Sequence, residues 1–224
     1  QAEGKGWLWA AIDPRTKIVP ALWFGKRTTA DAHQFMHDLV ARLAIGCVPL
    51  FTTDGLRQYF WALTAHFGVW RLLPGHRKRS WIVEPALLYG QLRKLRVYRR
   101  LTCVTTAGLC GTRAMIRDRL QALGYSGTIN TAYIERFNLT LRQRVAPLAR
   151  KTWSLVQSPE QLMRHVEWAR AYYHFVRVHS SLTLGPEVPQ AQRERTPAMA
   201  AGLTDHRWRV RDLLTLPLVA DPVA

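Results

Sequence analysis

This sequence is poor in acid. Asp and Glu together number 15 against 32 Lys and Arg, which leaves a formal charge of +17 and a pI near 10.8. So large an excess repels itself in a folded chain and calls for a compensating polyanion or a basic working face. Nucleic acid is the usual polyanion. Long apolar runs are also missing. No stretch reaches the roughly 18 residues of a membrane span, and no amphipathic basic helix dominates, so no membrane role is expected and the chain reads as soluble and cytoplasmic. Cysteine is sparse: Cys47, Cys103 and Cys110 are odd in number and lack C-x-x-C spacing. They favour neither a disulfide framework nor a zinc site and read as reduced thiols. The opening Gln1-Ala2-Glu3-Gly4-Lys5-Gly6 carries no initiator Met and no signal peptide; it reads as a turn between strands, and a fragment of a longer protein is expected.

What is present is enough for a packed core. Hydrophobic residues make up 48%, with nine Trp and seven each of Tyr and Phe, which argues against disorder. Residues 7–12 (WLWAAI) are strand-like, Asp13-Pro14 marks a turn, and 18–24 read as a second strand closed by Gly25. Thr28 or Thr29 can cap a helix to about residue 43, with Phe35, Leu39 and Leu43 on one stripe. A short buried strand over 48–53 ends at Asp54-Gly55, and a helix over about 56–67 follows. This order implies a mixed sheet covered by helices. The stretch 71–100 is the most basic, with Arg71, Arg77, Lys78, Arg79, Arg93, Lys94, Arg96, Arg99 and Arg100 against Glu84 alone. It is expected as a basic β-hairpin insertion over about 71–111. Helices are predicted over about 112–123, from a cap at Asn130 or Thr131 to Pro147, and from Ser158-Pro159 to about 176. Residues 185–224 form a tail with a short helix near Trp208, which with Arg207, Arg209 and Arg211 could meet DNA or a partner subunit.

Breaking or transferring a phosphodiester requires charge to be neutralised on the phosphorus centre and an oxygen nucleophile at neutral pH. Two Mg²⁺ ions do both, and they prefer carboxylate oxygen. The sequence must then bring an Asp and a Glu together from separate elements. Asp54 stands where a strand ends, the place from which ligand-facing side chains project in an open α/β sheet; taken alone it reads rather as an Asp-Gly turn or helix N-cap. Glu135 lies beside the apolar stripe of Ile134, Phe137, Leu141 and Val145, and at about 100° per residue it shares a face with Asn138 and Arg142; taken alone it is an ordinary helix acid. Context favours function for both. From Arg136 to Pro159 there is no acid, while Arg136, Arg142, Arg144, Arg150 and Lys151 accumulate without the partners that a solvated face supplies. Such a helix can hold metal with its Glu and phosphate with its Arg side chains. His165, His174 and His179 fit no metal spacing and read as packing or phosphate contacts. Trp153, Trp168, Tyr172 and Phe175 read as core.

The segment Ile134-Glu135-Arg136-Phe137-Asn138-Leu139-Thr140-Leu141-Arg142-Gln143 resembles the Glu-bearing helix of DDE-type transposases of small bacterial insertion sequences, pattern ERxNxxLRQ. Leu148-Ala149-Arg150-Lys151-Thr152, Tyr172-Tyr173-His174-Phe175 and His179-Ser180-Ser181-Leu182 resemble the same group, as do residues 7–28 and Thr52-Thr53-Asp54-Gly55. The resemblance implies an RNase H-like fold shared with retroviral integrases, with residues 1–184 as the catalytic domain. It further implies two Mg²⁺ ions (Mn²⁺ can substitute) and strand transfer on double-stranded DNA, both transposon ends and target. The protein would be nucleoid-associated, with a homodimer in the DNA complex. Asp54 and Glu135 become the catalytic metal ligands. Asn138 and Arg142 would orient phosphate, while Arg136, Arg144, Lys151, Arg77, Lys78 and Arg79 would contact DNA. The family's first Asp lies on a strand before the hairpin. It is expected upstream of Gln1, in which case this chain alone binds metal weakly; Asp13 has the right residue type in the wrong place. The competing reading is a non-catalytic DNA-binding protein derived from a decayed or domesticated transposase. An RNA-processing nuclease is a third reading, and for it no aromatic base-stacking platform is evident in the sequence.

Overall fold

The structure is a computed structural model that describes residues 6–98, 100–149, 153, 154, 156 and 158–216. It is a mixed α/β arrangement of helices with open sheets. Two compact units divide the chain: residues 1–10 with 21–135, and residues 11–20 with 136–224.

The first unit begins with the hairpin of β1 (Trp7–Ala10) and β2 (Leu22–Gly25), paired antiparallel with Trp9 opposite Trp23. The second strand is shorter than its apolar run, because residues 18–20 leave for the second unit. Trp9 is fully buried and packs on Phe35 and Tyr59. Helix α1 (Thr29–Val40) starts at Thr28, whose hydroxyl accepts from the Asp31 N–H at 3.2 Å. Its buried stripe is Ala32, Phe35, Met36 and Leu39, the spacing of one helix face. Strand β3 (Leu50–Asp54) leads to α2 (Arg57–His66), which packs against α1.

The basic stretch forms two hairpins rather than one. The first pairs β4 (Gly68–Leu72) with β5 (Arg79–Val83). The second pairs β6 (Leu88–Val97) with β7 (Arg100–Cys110), and β6 also runs parallel to β3. Half of the expected insertion is therefore part of the sheet that carries Asp54. The order β3-β6-β7 needs a crossover between its parallel pair, and α2 with the first hairpin supplies it. Helix α3 (Arg113–Ala122) is capped by Thr112 and ends where Gly124, at φ +84°, lets the chain reverse. Helix α4 (Ala132–Arg144) starts after Asn130, whose side chain accepts from the Ala132 N–H at 2.7 Å.

The second unit is largely helical. Phe137, Leu141 and Val145 are buried along or just past α4. Helix α5 (Pro159–Ala171), capped by Ser158, runs on into a π-helical turn over Tyr172–Val176. Short helices α6 (Gln190–Arg193), α7 (Pro197–Ala200) and α8 (Val210–Leu214) follow. His174 is buried, and its Nε2 accepts from the Val19 N–H at 2.9 Å, tying the 11–20 segment to this unit. Trp208 packs its ring, tilted by 34°, on Phe175 with centroids 4.5 Å apart, so this tail residue serves packing. Trp153 and Trp168, expected in the core, are exposed. The cysteines are free thiols. Among the described residues no helix is long and apolar enough to cross a membrane.

Candidate metal and nucleic-acid site

Strand alternation builds the site. Asp54 ends β3 and stands in register with Leu92 on β6. Registered neighbours in a sheet point to the same side, as do residues two apart on one strand. Gly90, Leu92, Lys94 and Asp54 therefore share one face. The segment leading into α4 crosses that face. Ile129 covers Gly90 so closely that a Cβ there would lie 2.5 Å from its Cδ1. Further along, the Lys94 ammonium donates to Glu135 Oε1. Asp54 thus ends β3 in register with Leu92, and Glu135 pairs with Lys94 two residues further along β6; the Asp54 charge also acts on Tyr59 and Tyr89. On the opposite side the Tyr89 and Thr53 hydroxyls are 2.8 Å apart, and Gln91 donates to the Leu56 carbonyl at 3.3 Å.

Each carboxylate is partly engaged. Asp54 Oδ1 accepts from the Leu56 N–H at 3.1 Å, the turn role that its Asp-Gly sequence suggests. Its charge also reaches Tyr59, whose hydroxyl pKa is raised first by burial and further by Asp54. Glu135 Oε1 accepts from the Thr131 hydroxyl at 2.8 Å as well as from Lys94. Burial pushes the Glu135 pKa up, but the Lys94 and Thr131 hydrogen bonds and the Lys94 and Arg96 charges outweigh it, so the carboxyl sits below its usual range. Among the described residues neither Asp54 Oδ2 nor Glu135 Oε2 has a hydrogen-bond partner. Two half-free, all-oxygen ligands suit a hard cation such as Mg²⁺. No group of three or more His, Cys, Asp or Glu converges as a metal centre among the described residues.

Along α4, Arg136 and Arg142 are exposed and Asn138 is half-buried. Arg144 lies over the Tyr172 ring at 4.9 Å, so its guanidinium is shared with an aromatic face. Lys151 lies outside the described residues, as do Arg99 and Arg150. Arg77 and Lys78 occupy the β4–β5 turn and Arg79 opens β5, all exposed. Asp13 belongs to the second unit, and its carboxylate accepts from the Arg15 and Thr16 N–H groups and the Thr16 hydroxyl. That is a turn-forming role.

Lys94 and Thr131 are the partners that sequence reasoning missed. The i,i+4 spacing of Thr131 and Glu135 was available as a signal; nothing in the sequence singles out Lys94 within its Arg-rich run. Also unforeseen is a gathering of cations in the second unit. The His179 pKa is lowered first by burial and then by Arg177, Lys17 and Arg136. Comparison with protein-family models, curated proteins and solved structures finds no match.

Proposed function

We propose that this chain is the catalytic region of a DDE-type transposase on an RNase H-like fold, which cleaves DNA at transposon ends and transfers the strands to a target. The observation that supports the reading is Asp54 at the end of β3, in register with Leu92, with Glu135 paired to Lys94 of the same β6 strand, inside a protein of charge +17. Asp54 and Glu135 would hold Mg²⁺, which when bound supplies charge neutralisation at the phosphate and lowers the pKa of the attacking hydroxyl. Asn138 and Arg142, further along α4, would contribute hydrogen bonds to phosphate. Exposed Arg136 and the Arg77–Arg79 run contribute backbone contacts that give affinity without sequence information. The protein's part is positioning and electrostatics, with no covalent intermediate.

One observation favours a second reading. The Lys94–Glu135 ion pair already neutralises the helix carboxylate, as it would in a DNA-binding protein that does no chemistry. The two separate in one assay. Full-length protein is incubated with Mg²⁺ and plasmid DNA carrying the element's ends, alongside Asp54→Ala and Glu135→Ala. Transposase function requires that each substitution abolish nicking, by about 10³-fold or more, while DNA binding is kept. Equal nicking by all three proteins removes the metal assignment; binding with no nicking by any of them selects the second reading.

A further inference from the structure

The β4–β5 hairpin carries a pair of indoles that the proposed chemistry does not use. Its register sets Trp70 opposite Trp81, Leu72 opposite Arg79 and Gly68 opposite Val83, so these six residues share one face. Trp81 is anchored. Its Nε1 donates to the Thr64 carbonyl at 2.9 Å, and its ring lies on Gly68, where a Cβ would come within 2.6 Å. Trp70 meets Trp81 edge to face, centroids 5.4 Å apart at 71°, and still leaves 62% of its surface exposed. Exposed Trp61 also meets a ring, Phe60, edge to face, but it lies on α2 away from the cationic hairpin tip; Tyr98 sits on a hairpin turn at φ 46°. Past Trp70 the same hairpin carries Arg71, His76, Arg77, Lys78 and Arg79, and residues 68–83 contain no acid.

We infer that Trp70, braced by Trp81, is a stacking platform for an unpaired DNA base, with the cations of the hairpin tip holding the adjoining phosphates. A cross-strand Trp pair stabilises a hairpin by ring contact, and that role alone favours covering both rings. Trp70 instead keeps most of its surface open to solvent while its ring rests against that of Trp81. An apolar protein partner would bury Arg77, Lys78 and Arg79 without counter-charges, which is costly; a phosphate chain supplies those charges. Between its ends, fully paired duplex presents base edges and phosphates but no base face, so the indole selects for unpaired or distorted DNA. The inference rests on the nucleic-acid-binding part of the proposed function and not on its metal chemistry.

The test is fluorescence anisotropy with full-length protein in EDTA at fixed salt. The probes are a fluorescein-labelled duplex with a single-stranded overhang and a blunt duplex of the same length. Wild type binds the overhang probe more tightly. Trp70→Ala weakens overhang binding about tenfold and blunt binding by less than about twofold, whereas Trp70→Phe retains most of the preference. Near-UV circular dichroism monitors the Trp pair. If Trp70→Ala disrupts the fold, Trp70→Leu, which keeps apolar cover but no π face, must show the same selective loss. Equal weakening on both probes, or on neither, overturns the inference, as does a Phe variant as weak as the Ala variant. Failure to bind either probe removes this inference together with the DNA-binding reading. An overhang preference in a protein that never nicks leaves the platform standing and removes only the catalytic reading.

Discussion

One strand of this molecule lives in two environments. The first half of β6, Leu88 to Leu92, lies between β3 and β7, with Tyr89 and Gln91 almost wholly buried and Ile129 pressed onto Gly90. The second half, residues 93–97, pairs only with β7 and is exposed throughout. The hydrogen-bond ladder continues without a core because a nucleated hairpin extends at little further entropic cost. Side chains beyond Leu92 are then released from packing and can carry Arg93, Lys94 and Arg96. Asp54 ends β3 opposite Leu92, and Lys94 meets Glu135. The candidate site thus sits where the ordered core gives way to the cationic ribbon, which offers rigid positioning and access to a polyanion together.

The sharpest way to break this comparison is to cut a leucine from each half. Leu92→Ala removes a side chain at 9% exposure and should cost about 2–4 kcal/mol in urea unfolding. Leu95→Ala removes one at 59% exposure and should change stability by less than about 0.5 kcal/mol. Similar costs for the two would mean that the outer ribbon is covered in solution, and the accessible basic surface would be lost to the argument.

A smaller effect separates burial from exposure by acid. His174 is buried as the neutral acceptor of the Val19 N–H, and burial, aided by the Arg170 charge, pushes its pKa down to about 3. An unfolded His titrates near 6.5. Between those values the unfolded chain binds the extra proton, so stability falls as pH drops below about 6.5, by on the order of 2 kcal/mol near pH 5. Urea unfolding at neutral and mildly acid pH measures the loss. His174→Gln, whose amide oxygen can accept from Val19, should flatten the profile; an unchanged slope assigns the acid sensitivity elsewhere.

The elements legible in the sequence were those fixed by local chemistry. Thr28, Thr112 and Ser158 each cap their helix through a hydroxyl that accepts an N–H three residues on, and that geometry needs no distant partner. Asp54 at a strand end and the buried run Phe137, Leu141, Val145 were readable for the same reason. Partners far apart in the chain were not. Nothing in residues 88–92 announces parallel pairing with β3, so composition suggested an inserted hairpin where the sheet continues. Val19 and His174 meet across 155 positions, which places residues 11–20 with the second unit against any reading of the hairpin as local. Trp70 and Trp81 were visible as residues, but their pairing depends on the register of β4 and β5.

Lys94 gives the finest division between the two functional readings, because its effect on folding is small. The ion pair with Glu135 joins side chains that are 31% and 54% exposed, and solvent screening leaves such a pair worth less than about 1 kcal/mol. Lys94→Met should therefore keep the fold and its melting temperature nearly intact. If Glu135 is a cation ligand, the Lys94 ammonium competes for the same oxygen, and removing it strengthens Mg²⁺ binding. A ligand that binds only the native state stabilises it by mass action, so millimolar Mg²⁺ should raise the melting temperature of Lys94→Met more than that of wild type. On the reading in which both carboxylates hold one ion, adding Asp54→Ala to the variant should abolish that gain. A Mg²⁺ response that is the same in wild type, Lys94→Met and the double variant would show that the ammonium and the metal do not share Glu135. Lys94 would then be a structural partner of α4, and the second reading, a DNA-binding protein without chemistry, would stand.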